Sequence, residues 1–263
     1  MEYMIGVDIG TTSTKSVLYD MKGKVIAHAN SGYQLYQDVP DMAEEDPEDI
    51  FDAVIEVLGQ VIRKGKVKKD ELKGVSFSSA MHSLILMDQD DQPLTRAITW
   101  ADNRAAKYSE ELKANGIGAE IYAKTGTPIH PMAPLSKILW IKNEKPDLFK
   151  KTKKFIDLKT YVFFRLFGTY KMEYSIASAT GMFNIFKLKW EPQALDLLGI
   201  TTDQLPELVE PTDTITGIDS NYGKVLGITK DVPFVFGASD GVLSNLGVNA
   251  IDPGVVAVTI GTS

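Results

Sequence analysis

The pattern of apolar and polar positions changes period several times along the chain. Tyr3 to Asp8 is short and rich in β-formers, Gly10 to Thr14 is a loop of small residues, and Lys15 to Asp20 is again extended. Met21-Lys22-Gly23 then turns the chain into a third strand, Lys24 to Asn30. After an acidic loop the period shifts to that of a helix. Asp46 stands as N-cap and Pro47 at the first helical position, and Ile50, Val54, Leu58 and Val61 recur beside Phe51, Ile55 and Ile62. Lys73 to Ser79 returns to strand. Three strands, a helix and another strand predict an open α/β sheet with a crossover connection.

From Asp102 to Phe167 the reading is mostly helical, with segments Asp102 to Ala114, Ala133 to Lys142 and Asp157 to Phe167 separated by Gly and Pro. Met172 to Phe186 reads as irregular with a short strand. Pro192 to Leu198 and Tyr222 to Gly227 read as short helices, and Pro233 to Phe236 as a buried strand. The start and the end of the chain echo each other. Met4 to Ile9 runs into Gly10-Thr11-Thr12, and Val255 to Ile260 runs into Gly261-Thr262-Ser263. Either these are two β-strands alike by chance, or a second, related domain opens its first strand where the chain stops.

Composition narrows the function classes. The 263 residues are 44% hydrophobic and 24% charged, which describes an ordinary globular protein. A net charge of −7 argues against nucleic acid as a partner. With no cysteine, disulfides, thiolate metal sites and cysteine nucleophiles drop out, and three histidines leave little for a zinc site. The opening lacks a basic region, and no apolar run approaches the ~20 residues that span a bilayer. A cytoplasmic protein without a membrane partner is expected.

Four segments carry candidate chemistry. In the first, a strand ends in Asp8, then Gly10, Thr11, Thr12, Ser13 and Thr14, then Lys15. Glycine admits an anion to the backbone, and successive N–H and hydroxyl groups can ring phosphate oxygens. A carboxylate such as Asp8 suits a hydrated Mg²⁺. The plain alternative is a hairpin turn rich in turn formers. In the second, Gly237-Ala238-Ser239-Asp240-Gly241 follows a strand, the edge at which open α/β sheets bind ligands, although Asp240 could equally cap the next helix. In the third, Ser78-Ser79-Ala80-Met81-His82-Ser83 crowds small polar groups around a histidine. In the fourth, Trp100-Ala101-Asp102-Asn103-Arg104 sets an aromatic face beside polar groups, as a polyol needs, unless Trp100 is simply core.

These segments together resemble the FGGY carbohydrate kinases, which share the actin-like, ribonuclease-H-like fold, a mixed sheet flanked by helices. Met132-Ala133-Pro134-Leu135-Ser136-Lys137-Ile138-Leu139-Trp140-Ile141 fits the family's first signature, and it also reads as an amphipathic helix. The resemblance implies ATP and Mg²⁺ as cofactors, with Asp8 on the metal and Gly10 to Lys15 as the first phosphate loop. It makes Ser79, Met81, His82, Trp100, Asn103, Arg104 and Met132 substrate-binding and Asp240 the catalytic base. Gly261 and Thr262 open the second phosphate loop.

It implies too that residues 1–250 are the N-terminal, substrate-binding lobe of a two-lobed kinase and 251–263 the first strand and loop of its C-terminal lobe. The implied activity then belongs to the two-lobed parent rather than to this length alone. The wording of several segments looks most like the gluconokinase branch, implying phosphorylation of D-gluconate to 6-phosphogluconate. His82, Arg104, His130 and Lys137 are the candidate readers of the sugar-acid carboxylate. Xylulokinase is the enzymatic alternative, and a non-enzymatic actin-like or Hsp70-like nucleotide-binding module is the other. The Met81-His82 pair and Trp100 to Arg104 favour the kinase. A homodimer stays open.

Overall fold

A computed structural model of the protein describes residues 1–258; 259–263, with Gly261 and Thr262, lie outside the described residues. The central element is a six-stranded mixed sheet. Its strands are β1 (Tyr3–Ile9), β2 (Ser13–Asp20), β3 (Val25–Gly32), β4 (Leu72–Ser79), β5 (Thr214–Ile215) and β6 (Phe234–Ser239), in spatial order β5-β6-β4-β1-β2-β3. β1, β4 and β6 run parallel, whereas β2, β3 and β5 are antiparallel to their neighbours. The opening hairpins and the crossover through helix α1 (Pro47–Lys64) follow the expected order.

Helix α1 forms where its sequence signals place it. The Asp46 side chain accepts from the Glu48 N–H at 2.9 Å, Pro47 supplies a preset φ, and Ile50, Phe51, Val54, Val57, Leu58 and Val61 are buried. That face covers one side of the sheet together with α3 (Leu158–Phe167). Phe163 of α3 stacks on Phe236 of β6 at 4.5 Å and meets Phe77 of β4 edge-on at 5.1 Å. A second core lies beyond the strand ends around α2 (Pro134–Glu144), built from Leu84, Leu86, Ile98, Leu135, Ile138, Trp140 and Ile141 among others. The sheet and this second core leave the candidate residues between them.

Local structure departs from the sequence reading at several points. The loop after β1 is only Gly10–Thr12, because Ser13, Thr14 and Lys15 already pair in β2. The helix expected from Asp102 begins at Ala106, since Asp102 is held in an ion pair instead. Tyr174–Ser178 is a short helix (α4) rather than irregular chain, with Glu173 accepting from Ser175 N–H and Ile176 N–H as its cap. Ile117–Thr125 and Pro146–Lys151 are helices that weak amphipathic patterns did not announce. Val255–Val258, read as part of a strand belonging to the second lobe and so expected to be unsettled without its neighbours, carry no regular structure, and Val255, Val256 and Val258 are exposed, in keeping with that reading. No described helix is long and apolar enough to cross a membrane.

One glycine fixes how β6 meets β4. Gly237 sits at φ +65°, where the register slips between Val235 and Ala238, and a Cβ there would lie 1.8 Å from the Phe77 carbonyl oxygen. Only glycine fits both the left-handed backbone and that approach. Gly237→Ala is expected to destabilise the protein by about 2 kcal/mol or more in urea unfolding. A change within experimental error would show that the bulge can be rebuilt at no cost.

Candidate active site

Three parallel strands bring the site together by ending in register. Ile9 of β1 pairs with Ser79 of β4, and Ser79 in turn with Ser239 of β6. Adjacent strands lie ~4.8 Å apart, so the ends of β1 and β6 are about 10 Å apart across β4. Asp8, the Ala80-Met81-His82 loop and Asp240 therefore leave one edge of the sheet, the carboxyl edge where α/β folds place ligands.

On the β1 side, Gly10 closes a tight turn through its N–H to the Ser13 carbonyl at 3.1 Å, and the Tyr33 hydroxyl donates to the Gly10 carbonyl. Thr11 Oγ1 accepts from Trp100 Nε1 at 2.8 Å, which ties the small-residue loop to the aromatic residue 89 positions away. Trp100 is exposed rather than core. Thr14 is buried, its hydroxyl 3.4 Å from that of Tyr33, so it supports the loop from beneath. Lys15 stands opposite Asp8 on the open face of the sheet.

On the β6 side, Ser239 is the N-cap of α5 (Asp240–Gly247), and Asp240 is its first helical residue, not its cap. Its Oδ1 accepts from the Gly241 N–H at 2.7 Å. Partial burial by the surrounding walls raises the Asp240 carboxyl above the usual aspartate range, and the Asp8 charge adds to the rise. Two carboxylates facing one opening are a donor set that suits Mg²⁺, which binds one or two carboxylates and keeps several waters. Met81 reaches the same place: a Cβ on Gly241 would touch its terminal methyl at 3.1 Å.

His82 occupies the left-handed region at φ +69°, held there by two contacts. Its Nδ1 lies 2.7 Å from the Ala179 carbonyl, and its own carbonyl accepts from Lys137 Nζ at 2.6 Å. A carbonyl can only accept, so Nδ1 carries the proton and Nε2 is left as an acceptor. Burial pushes the imidazole down to about 4, with the Lys137 and His130 charges adding, so the ring is neutral at pH 7. His130 has the opposite tautomer: its Nδ1 accepts from the Met132 N–H at 3.2 Å, which leaves Nε2–H as a donor.

Lys137 is fully buried inside the apolar face of α2. Besides the His82 carbonyl, its Nζ donates to the carbonyls of Ile98 at 3.2 Å and Thr99 at 2.6 Å. All three N–H groups are spent on main chain, so Lys137 anchors the His82 loop and the strand before Trp100 instead of reading a substrate carboxylate. Burial pulls its pKa down to about 7, with the Asp102 charge opposing the shift and the Arg104 charge adding to it. Arg104 is likewise engaged, between Asp102 at 2.8 Å and Glu44 at 2.5 Å, and its guanidinium lies over Trp140 at 4.6 Å. Asn103 is exposed, with its side chain on the Ala101 carbonyl at 3.3 Å. Ser79 is buried and bonded to the Ala80 carbonyl. Among the described residues, no cluster of three His, Asp or Glu could hold a metal by protein ligands alone.

Comparison with known proteins places this geometry. The model for the "FGGY family of carbohydrate kinases, N-terminal domain" matches residues 3–247. A gluconokinase of Bacillus subtilis is 50% identical over 261 residues, covering 99% of this chain and 50% of the relative. The crystal structure of ligand-bound xylulose kinase from Lactobacillus acidophilus is similar at TM-score 0.93 and 46% identity, over 96% of this chain and 51% of that one. The crystal structure of gluconate kinase from the same organism gives TM-score 0.92 and 46% identity, over 95% and 50%. The chain spans about half the length of the curated relatives it matches.

The neutral state of His82 yields a measurable pH dependence. Its folded-state pKa, about 4, lies below the ordinary 6.5, so between these values the unfolded chain takes up a proton that the folded chain refuses. Stability therefore falls as pH drops through this window. His82→Gln removes this contribution, and urea unfolding is expected to show a flatter pH dependence from about 6.5 to about 4. Equal slopes in the two proteins would mean that the imidazole is not held neutral.

Proposed function

Because the chain belongs to the FGGY family of carbohydrate kinases, we propose that the whole protein transfers the γ-phosphoryl group of ATP to the terminal hydroxyl of a sugar acid, converting D-gluconate to 6-phosphogluconate. The observation that carries this reading is the convergence of Asp8, the Gly10–Ser13 turn, Met81-His82 and Asp240 at one sheet edge. In this reading residues 1–250 are the substrate-binding lobe, and 251–263 begin the lobe that completes the nucleotide site, with Gly261 and Thr262 opening the second phosphate loop.

Asp240 accepts a hydrogen bond from the sugar hydroxyl and then its proton as the oxygen–phosphorus bond forms and the bond to the leaving ADP oxygen breaks. A carboxyl raised above the aspartate range is a better base near neutral pH. The transition state is loose and asks little covalent chemistry of the protein, so alignment of hydroxyl and phosphate dominates. Asp8 and Asp240 are the residues that would hold Mg²⁺ through its waters; the ion supplies neutralisation of phosphate charge. The Gly10–Ser13 turn offers N–H and hydroxyl donors to phosphate oxygens, and Lys15 stands beside Asp8.

In this reading Trp100 is the apolar wall of the sugar site, and Met81 and Met132 are further apolar residues that face the sugar. His82 Nε2, an acceptor, reads a sugar hydroxyl rather than a carboxylate. The carboxylate falls to His130, whose Nε2–H is a free donor direction, because Lys137 and Arg104 are committed to protein acceptors. A second reading, xylulose as substrate, is favoured by one observation: the crystal structure of ligand-bound xylulose kinase is as similar as that of gluconate kinase. Parallel ADP-release assays with gluconate, xylulose and glycerol separate the two.

Asp240→Asn in the whole protein keeps shape and hydrogen bonding but cannot take the proton. Its kcat is expected to fall at least ~100-fold with KM for the sugar little changed. Retention of kcat within a factor of two would reduce Asp240 to a helix-terminal residue and overturn the reading.

A further inference from the structure

We propose that the buried Lys159–Glu173 pair and Ser175 form a support that fixes the Ala238–Ser239 peptide, one residue ahead of Asp240, and so positions the Asp240 carboxylate; the proposal rests on Asp240 being the catalytic base. Lys159 and Ser175 have no role assigned above, and Glu173 has only that of capping α4.

The contacts converge on one peptide unit. Lys159 Nζ lies 2.8 Å from Glu173 Oε1 and 3.3 Å from the Ala238 carbonyl. Ser175 Oγ donates to the same Glu173 oxygen at 2.9 Å and accepts from the Ser239 N–H at 2.8 Å. The Ala238 carbonyl and the Ser239 N–H belong to a single peptide, so the unit that leads into Ser239, the residue before Asp240, is held at both of its polar atoms. Glu173 and Lys159 are buried, with side chains 0% and 4% exposed.

Stability alone is a poor reason for such a pair. Desolvating two charges costs about what their attraction returns, and apolar replacements of equal volume are often as stable. The backbone it holds, in contrast, needs holding. Gly237 turns through the left-handed region, β6 slips register there, and the Ser239 N-cap makes no side-chain bond to the helix it starts. Without an outside grip, the first turn of α5 would set the Asp240 carboxylate only loosely. A base misplaced by a fraction of an ångström costs rate more than affinity.

The test is a set of variants of the full-length kinase. Ser175→Ala removes one bridging hydroxyl and leaves the ion pair, and it is expected to lower kcat roughly 10-fold with both KM values within about twofold and Tm within about 2 °C. Ser175→Thr restores the hydroxyl and recovers most of kcat. Glu173→Gln keeps the shape of the carboxylate and is expected to show the same split between kcat and KM. The proposal is overturned if Ser175→Ala keeps kcat within twofold, or if its loss of kcat follows a loss of Tm and Ser175→Thr does not recover it. Asp240→Asn measured alongside separates the two claims. An active Asp240→Asn defeats the assignment of the base, whereas an inactive one beside a fully active Ser175→Ala defeats the support alone.

Discussion

An ammonium group buried away from water has three N–H bonds to place; in this protein one buried lysine places all three on main chain and another divides its bonds between a carboxylate and main chain. Lys137 binds the carbonyls of His82, Ile98 and Thr99. Lys159 joins Glu173 to the carbonyl of Ala238. Leaving such a group unpaired in the interior costs several kcal/mol, so each lysine holds its loops firmly. One grips the His82 loop and the chain leading to Trp100, and the other grips the chain leading to Asp240. The sheet sets where strands end, and the two amines set what the chain does after the ends.

The charges at the opening complement this frame. Asp8 and Asp240 face the same space from strands separated by β4, close enough for the charge of one to raise the other. Like charges held by a rigid sheet repel each other, and a cation between them would offset that repulsion. The link from Trp100 to Thr11 joins two segments of the opening that lie 89 positions apart in sequence through one hydrogen bond.

Much of the frame was legible in the sequence because the signals are local. Asp46-Pro47 followed by apolar residues at helical spacing marks α1, and β-rich runs around Met21-Lys22-Gly23 mark the hairpin of β2 and β3. The motif around Asp240 was visible as glycines flanking an acid after a strand, but not its place as the first residue of a helix capped by Ser239. Lys137 was legible only as a candidate reader of the substrate carboxylate; that its partners would be carbonyls of residues up to 55 positions away was not. Lys159 is a charge inside Leu158 to Phe163, and Glu173 and Ser175 gave no signal, since their network closes only when α3, α4 and β6 meet. Arg104 shows the limit from the other side. Its position beside Trp100 suits a ligand, yet the acids that claim it, Asp102 and Glu44, come together only through the small sheet that places Glu44 beside Ile98.

The Lys137 anchor recognises peptide carbonyls, which every amino acid carries. The side chains at 82, 98 and 99 are therefore free of the anchor, and their neighbours Met81 and Trp100 are bound to it only through the backbone. A lineage can exchange the residues that touch a sugar while the loops bearing them keep their course. Two solved structures of near-equal similarity to this chain are indeed named for different sugars.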